Sequence, residues 1–266
     1  MMDELNARGL VLLGCGKMGG AMLAGWLAEG LSPTAVTVLD PNPSDWLKAQ
    51  TGVRINAPLP ESPAVAIIAV KPQMMGDALP SLRALGAATT FISIAAGTPI
   101  AAFEAALGDV PVVRAMPNTP AAVGRGISAV IGNAAVTPDR LDMACALLEA
   151  VGEVVRLDTE DQIDAVTGVS GSGPAYVFHM IEALAAAGEA VGLAPELAMK
   201  LARATLCGAG ELAHRDAETS AEQLRINVTS PNGTTQAGLE VLMPDLPDLM
   251  RRTVEAATNR AKELKS

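Results

Sequence analysis

Gly9-Leu10-Val11-Leu12-Leu13-Gly14-Cys15-Gly16-Lys17-Met18-Gly19 is an aliphatic strand running directly into a G-x-G-x-x-G turn. Each glycine has its own physical reason. Gly14 permits the tight turn, Gly16 lets the backbone approach a pyrophosphate, and Gly19 lets the next helix pack on the strand. Residues 18–29 follow with apolar positions at three- and four-residue spacing, so a helix starts at the turn. Its N-terminus then offers unpaired N–H groups to an anion.

Working outward, further aliphatic strands are expected at residues 36–39, 64–70, 90–94, 110–114, 128–131 and 154–157. Helix-length stretches separate several of them, among them residues 138–151, where Thr137 can cap and Pro138 suits the first helical position. Strand–helix alternation predicts an α/β domain: a mostly parallel, doubly wound, Rossmann-like sheet with helices on its faces. After residue 159 the texture changes. Thr159-Glu160-Asp161-Gln162 and Thr219-Ser220-Ala221-Glu222 read as capping boxes, Pro195 opens another helix, and three or four Ala-rich helices fill the remainder. Segment 174–191 is apolar over most of its circumference, more than so small a helical unit can bury alone. The division expected is a dinucleotide-binding domain over 1–159 and a helical domain for dimerisation and substrate binding over 160–266. A homodimer or higher homo-oligomer then forms through the C-terminal helices.

Composition narrows the class. Half of the 266 residues are apolar, 18% are charged and only 2% are aromatic, so a core of Ala, Val, Leu, Ile and Met is expected and disorder is excluded. The net charge is −10 and the bases are scattered, with 10 basic and 14 acidic residues up to Asp158 and 9 and 15 after it. A nucleic-acid partner needs a positive footprint that neither half offers. The run 64–70 is too short to span a bilayer, and the start lacks the pattern of a signal peptide. Cys15, Cys145 and Cys207 stand apart, forming neither a disulfide framework nor a metal site. The expectation is a cytoplasmic protein without membrane or nucleic-acid partners.

Several residues at strand ends are candidates for ligand contact. Asp40, 21 residues after Gly19, either takes adenosine ribose hydroxyls, pointing to NAD, or simply starts the Asp-Pro-Asn-Pro turn. Asn42, Ser44 and Lys48 follow closely and are candidates for phosphate binding. Val70-Lys71-Pro72 and Ala95-Ala96-Gly97 leave two later strands, where small residues admit a nicotinamide ribose. Lys71 reads as a solvated charge rather than a catalytic acid. Asn118, between two prolines, binds cofactor or holds its own loop. Segments 169–175 and 228–235 both read as hydroxyl-rich loops feeding helix N-termini, suited to a small carboxylate or to ordinary capping. One Tyr and two His leave few acid–base groups. That poverty leans toward reduction of a C=N bond, whose nitrogen already carries its proton, rather than oxidation of an alcohol.

Together these segments resemble the pyrroline-5-carboxylate reductases, over nearly the whole chain from Leu10 to about Glu263. The most specific piece is Asp164-Ala165-Val166-Thr167-Gly168-Val169-Ser170-Gly171-Ser172-Gly173-Pro174-Ala175-Tyr176, joined in order by Val70-Lys71-Pro72, Arg114-Ala115-Met116-Pro117-Asn118-Thr119-Pro120 and Val228 to Thr235. The resemblance implies reduction of 1-pyrroline-5-carboxylate to L-proline with NADPH, or with NADH given Asp40. It places the pyrophosphate against Leu13, Gly14, Cys15, Gly16, Lys17 and Met18, with Asn56 a further cofactor contact. Val70, Lys71, Pro72 and Ala96 fall on the nicotinamide side. Thr235 matches the hydroxyl that hydrogen-bonds the ring nitrogen and so carries the catalytic role. The N–H groups of Gly233, Thr234 and Thr235 match the carboxylate clamp, and Glu218 a substrate-side acid. The family loop usually reads Ser-Pro-Gly-Gly-x-Thr; here Asn232 replaces the first glycine, and Asn tolerates a left-handed backbone. Rival readings are a related imine reductase or β-hydroxyacid dehydrogenase, and a catalytically idle dinucleotide sensor.

Overall fold

The computed structural model describes residues 1–265. Eight strands form one sheet: β1 (Leu10–Leu13), β2 (Val36–Leu39), β3 (Arg54–Ile55), β4 (Val65–Ile68), β5 (Thr90–Ser93), β6 (Val112–Met116), β7 (Gly126–Gly132) and β8 (Gly152–Arg156). Their order across the sheet is β3-β2-β1-β4-β5-β6-β7-β8. All neighbours are parallel except β6 and β7, which run antiparallel. The sequence marks seven of the eight; β3 is a two-residue edge strand with too little length to show a period.

Helix α1 (Met2–Arg8) precedes β1, and α2 (Lys17–Ala28), α3 (Asp45–Lys48), α4 (Met75–Ala78), α5 (Ile100–Leu107) and α6 (Pro138–Glu149) lie between strands. Alternate residues of the buried strands serve opposite layers. Leu10 and Leu12 pack with Met22, Leu23 and Trp26 of α2 and Leu147 and Leu148 of α6. Val11 and Leu13 pack with Met75 of α4 and Phe103 and Leu107 of α5. Burial on both faces is why these parallel strands read as continuous aliphatic runs. Each such side chain stabilises the fold by roughly 1.5–3 kcal/mol. Trp26 adds a specific tie, its indole N–H donating to the Leu147 carbonyl at 2.6 Å. Thr137 caps α6 as expected, accepting from the Arg140 N–H at 3.4 Å.

Beyond β8 lie α7 (Gln162–Val166), α8 (Gly173–Ala190), α9 (Pro195–Arg215), α10 (Ala221–Asn227) and α11 (Thr234–Glu263). The chain divides into two compact units. One comprises residues 1–171 together with the C-terminal stretch from 257, and the other residues 172–256. Segment 169–175, expected as a loop, is instead helical: residues 167–171 form a π-helical turn that carries α7 on toward α8. The Thr167 hydroxyl donates to the Ile163 carbonyl at 2.7 Å and the Ser170 hydroxyl to Val166 at 3.1 Å. These i−4 bonds keep the hydroxyls inside the helical pattern, where the Gly and Ser content suggested a break. The expected capping boxes also shift. At α7 only the Gln162 half forms, its side-chain oxygen accepting from Thr159 N–H at 3.1 Å. At α10 the cap is Ser220, accepting from Gln223 N–H at 3.1 Å, one residue later than the Thr219 reading.

The second unit has almost no interior of its own. Its buried side chains are alanines, Ala185, Ala198 and Ala202, at the seam of α8 and α9. Large apolar side chains point outward, with Phe178 60% and Val241 76% exposed. Pro244 and Pro247 lie inside the 30-residue α11.

Candidate active site

The sheet order reverses direction about β1 and β4, so the crevice for a ligand opens at the C-terminal ends of these strands. Gly14 leaves β1 with φ +88°, its N–H donating to the Leu39 carbonyl of β2 at 2.8 Å. A Cβ there would stand 2.8 Å from Val70 Cγ1 and 2.9 Å from the Ala69 carbonyl. At Gly19 a Cβ would stand 2.5 Å from the Gly14 carbonyl oxygen. Gly16 is different: a Cβ there meets nothing within 4 Å. It is the N-cap of α2 and supplies no side chain to its first turn. The N–H groups of Lys17, Met18 and Gly19 therefore leave the helix end without intrahelical partners. Two glycines fit the loop to the protein and the third leaves backbone open above it, which fits a pyrophosphate.

Asp40, at the end of β2, braces this turn. Its Oδ2 accepts from Cys15 N–H at 2.7 Å and its Oδ1 from Asn42 N–H at 2.8 Å. Asn56, with φ +52°, clasps the Asp40 backbone from both sides: its Oδ1 accepts from Asp40 N–H at 2.9 Å and its Nδ2 donates to Asp40 O at 2.8 Å. Burial, with the Asp40 charge beside it, pushes the Cys15 thiol up to about 11. Val70 and exposed Lys71 and Pro72 follow β4, and exposed Ala96 follows β5, all at the same edge of the sheet. Ser44 caps α3 by accepting from Leu47 N–H at 3.2 Å, and exposed Lys48 pairs with Asp45 at 3.2 Å.

Asn118 holds its loop to two others. Its Oδ1 accepts from Ile127 N–H at 2.9 Å and its Nδ2 donates to the Ser170 carbonyl at 3.2 Å. Arg114, on β6 and 2% exposed, pairs with Glu160 at 2.6 Å, and the same Glu160 oxygen accepts from Ile100 N–H at 2.8 Å. Sequence reading gave these two residues no structural role. The signal was a lone Arg inside the aliphatic run of a strand, which requires a buried acid somewhere.

In the second unit, the segment before α11 carries the remaining candidates. Asn232 takes the left-handed conformation, φ +58°, and its N–H donates to Gln236 Oε1 at 2.8 Å. Gln236 in turn donates to Glu240 at 3.0 Å. Gly233 N–H closes a turn onto the Ser230 carbonyl at 3.0 Å. Thr234 and Thr235 open α11 with exposed side chains, and Glu218 lies exposed between α9 and α10.

A profile described as pyrroline-5-carboxylate reductase dimerisation matches residues 160–264, and one described as NADP oxidoreductase coenzyme F420-dependent matches residues 10–97. The pyrroline-5-carboxylate reductase of Pseudomonas aeruginosa is 39% identical over 96% of each chain. The chain belongs to the pyrroline-5-carboxylate reductase family. The Synechocystis reductase is 41% identical over 96% of this chain and 97% of its own. Among solved structures, the pyrroline-5-carboxylate reductase of Coxiella burnetii superposes with a TM-score of 0.91 at 35% identity, covering 98% of this chain and all of that one. The Plasmodium falciparum reductase, solved with NADP bound, superposes at 0.81 and 27% identity, covering 98% and 99%. Membership accounts for the outward apolar faces of α8, α9 and α11, since they fall within the matched dimerisation region of this reductase family. Among the described residues no helix is long and apolar enough to cross a membrane, and no cluster of three or more His, Cys, Asp or Glu side chains suits a metal.

Proposed function

We propose that this chain reduces 1-pyrroline-5-carboxylate to L-proline with NAD(P)H, the last step of proline biosynthesis, as a cytoplasmic homodimer or larger assembly. The observation that carries the reading is the open backbone at Gly16, ahead of an α2 N-terminus without a side-chain cap, in a chain of this family. Residues 1–159 form the dinucleotide domain, and residues 160–266 the substrate and dimerisation domain. Bound reduced nicotinamide supplies hydride for the imine carbon.

The protein's own part is to bind and orient. The N–H groups that follow Gly16 hold the pyrophosphate, Asp40 and Asn56 frame the adenosine side, and Val70, Lys71, Pro72 and Ala96 border the nicotinamide. The carboxylate of the substrate lies on N–H groups at the start of α11, where the helix dipole favours an anion. Thr234 and Thr235 are the donors available there, because Gly233 N–H is already bonded to Ser230. Thr235 Oγ1 orients the ring nitrogen, and Glu218 lies on the substrate side. The protonated imine arrives with its charge in place, so positioning supplies most of the rate.

Thr235→Ala tests the reading by loss of absorbance at the reduced-nicotinamide band. Losing one hydrogen bond to a charged group in the transition state lowers turnover about 10- to 100-fold. Dinucleotide affinity stays within about twofold of the parent, a difference under 0.5 kcal/mol. Undiminished turnover, or loss of dinucleotide binding, would overturn the role given to Thr235. No turnover by the parent protein with either dinucleotide would overturn the substrate.

A further inference from the structure

We infer that this chain selects NADH over NADPH and that Asp40 is the discriminating residue, an inference that rests on the dinucleotide reading above. A carboxylate at the end of β2 repels a 2′-phosphate only if it cannot turn away. Here it is held at every polar atom. Oδ2 accepts from Cys15 N–H and Oδ1 from Asn42 N–H, at 2.7 and 2.8 Å. The main-chain N–H and carbonyl of Asp40 are both engaged by the Asn56 amide. Swinging the carboxylate aside would leave Cys15 N–H, in the glycine turn itself, without its acceptor.

Each carboxylate oxygen still has a lone pair to spare, which suits the two hydroxyls of an unmodified ribose because both can donate. A 2′-phosphate brings only acceptor oxygens and roughly two negative charges, and so finds no complement there. The nearby charges do not offset this repulsion. Residues 40–48 hold Asp40, Asp45 and Lys48, a net charge of −1, and Lys48 already lies beside Asp45 at 3.2 Å. Arg54, exposed on β3, is a further cation on this edge. Its Cα is in register with Thr37, three residues upstream of Asp40, or about 10 Å back along the strand.

Binding reads this without turnover. The purified full-length protein is titrated with NADH and with NADPH, following nicotinamide fluorescence or heat. NADH is expected to bind at least about tenfold more tightly, since a fixed carboxylate and a phosphate in contact repel through a partly screened medium. Asp40→Asn, which keeps the shape and one acceptor, narrows the gap to about threefold or less by improving NADPH. NADPH binding as tightly as NADH, or more tightly, would overturn the inference. So would an Asp40→Asn protein that binds both and still discriminates fully. Should that variant fail to fold, the comparison on the parent protein decides alone. Binding of neither dinucleotide would overturn this inference and the dinucleotide reading together. Preference for NADH without turnover of pyrroline-5-carboxylate would support it and remove only the substrate.

Discussion

Adding a methyl group at Gly16 should separate ligand binding from stability. Gly16 has φ −71° and ψ −159°, which any residue adopts, and its Cβ would meet no protein atom within 4 Å. Replacing Gly by Ala at an N-cap costs up to about 1 kcal/mol of helix stability. Restricting the unfolded chain returns about 0.4–1 kcal/mol. The two effects nearly cancel, so the melting temperature without dinucleotide moves by no more than about 2 °C. On the proposed placement of the pyrophosphate, the methyl group nevertheless stands where phosphate oxygens would approach the N–H groups of Lys17 and Met18. Losing one such charge-assisted bond costs about 1.5–3 kcal/mol, a rise of roughly 10- to 100-fold in Kd. Gly19→Ala provides the contrast, because its Cβ collides with the Gly14 carbonyl at 2.5 Å and lowers both melting temperature and affinity. Calorimetric melting without ligand and fluorescence titration with NADH measure the two quantities. Unchanged Kd in Gly16→Ala would refute the placement of the pyrophosphate, and a fall of several degrees in its melting point would refute the open space.

Two further outcomes follow from the packing. Glu160→Gln keeps the acceptor for Arg114 and Ile100 but removes the charge opposite a guanidinium that is 2% exposed. Stability should fall by about 1–2 kcal/mol, less than the 3–5 kcal/mol of deleting a partner outright. An unchanged urea midpoint would show that Arg114 is balanced some other way. Cys15 is buried with its thiol raised to about 11, so little thiolate exists at pH 8. Iodoacetamide should alkylate exposed Cys207 first, with Cys15 gaining reactivity only as the pH rises toward 11. Equal rates at pH 8, read by peptide mass, would contradict the burial.

The glycine turn and the aliphatic strands were legible because each is a local necessity: buried parallel strands are apolar on both faces, and Gly14 and Gly19 have no room for a Cβ. What escaped depends on distant partners. The reversed direction of β7 is not written in its residues, although a connection of nine residues from Pro117 to Arg125 is shorter than a parallel crossover allows. The π-helical turn escaped because glycine and serine signal a break, and only the hydroxyl bonds to Ile163 and Val166 show otherwise. At the candidate site, Asp40 was visible by its spacing from the turn. Its second employment, as acceptor for Cys15 N–H, needed coordinates. The same holds for Asn118, whose two partners lie 9 and 52 residues away.

The stretch from residue 257 returns to the unit built by the first 171 residues. Lys265 pairs at 2.8 Å with Asp164, a carboxylate whose side chain is 5% exposed, and Leu264 lies within 3.7 Å of where a Cβ on Gly97 would stand. During synthesis this has a direct cost in timing. The sheet can form while the helices are still being made, but Asp164 gains this cation only from a residue 101 positions further along the chain. A truncation ahead of Lys265 would leave that carboxylate without the cation the folded protein places on it.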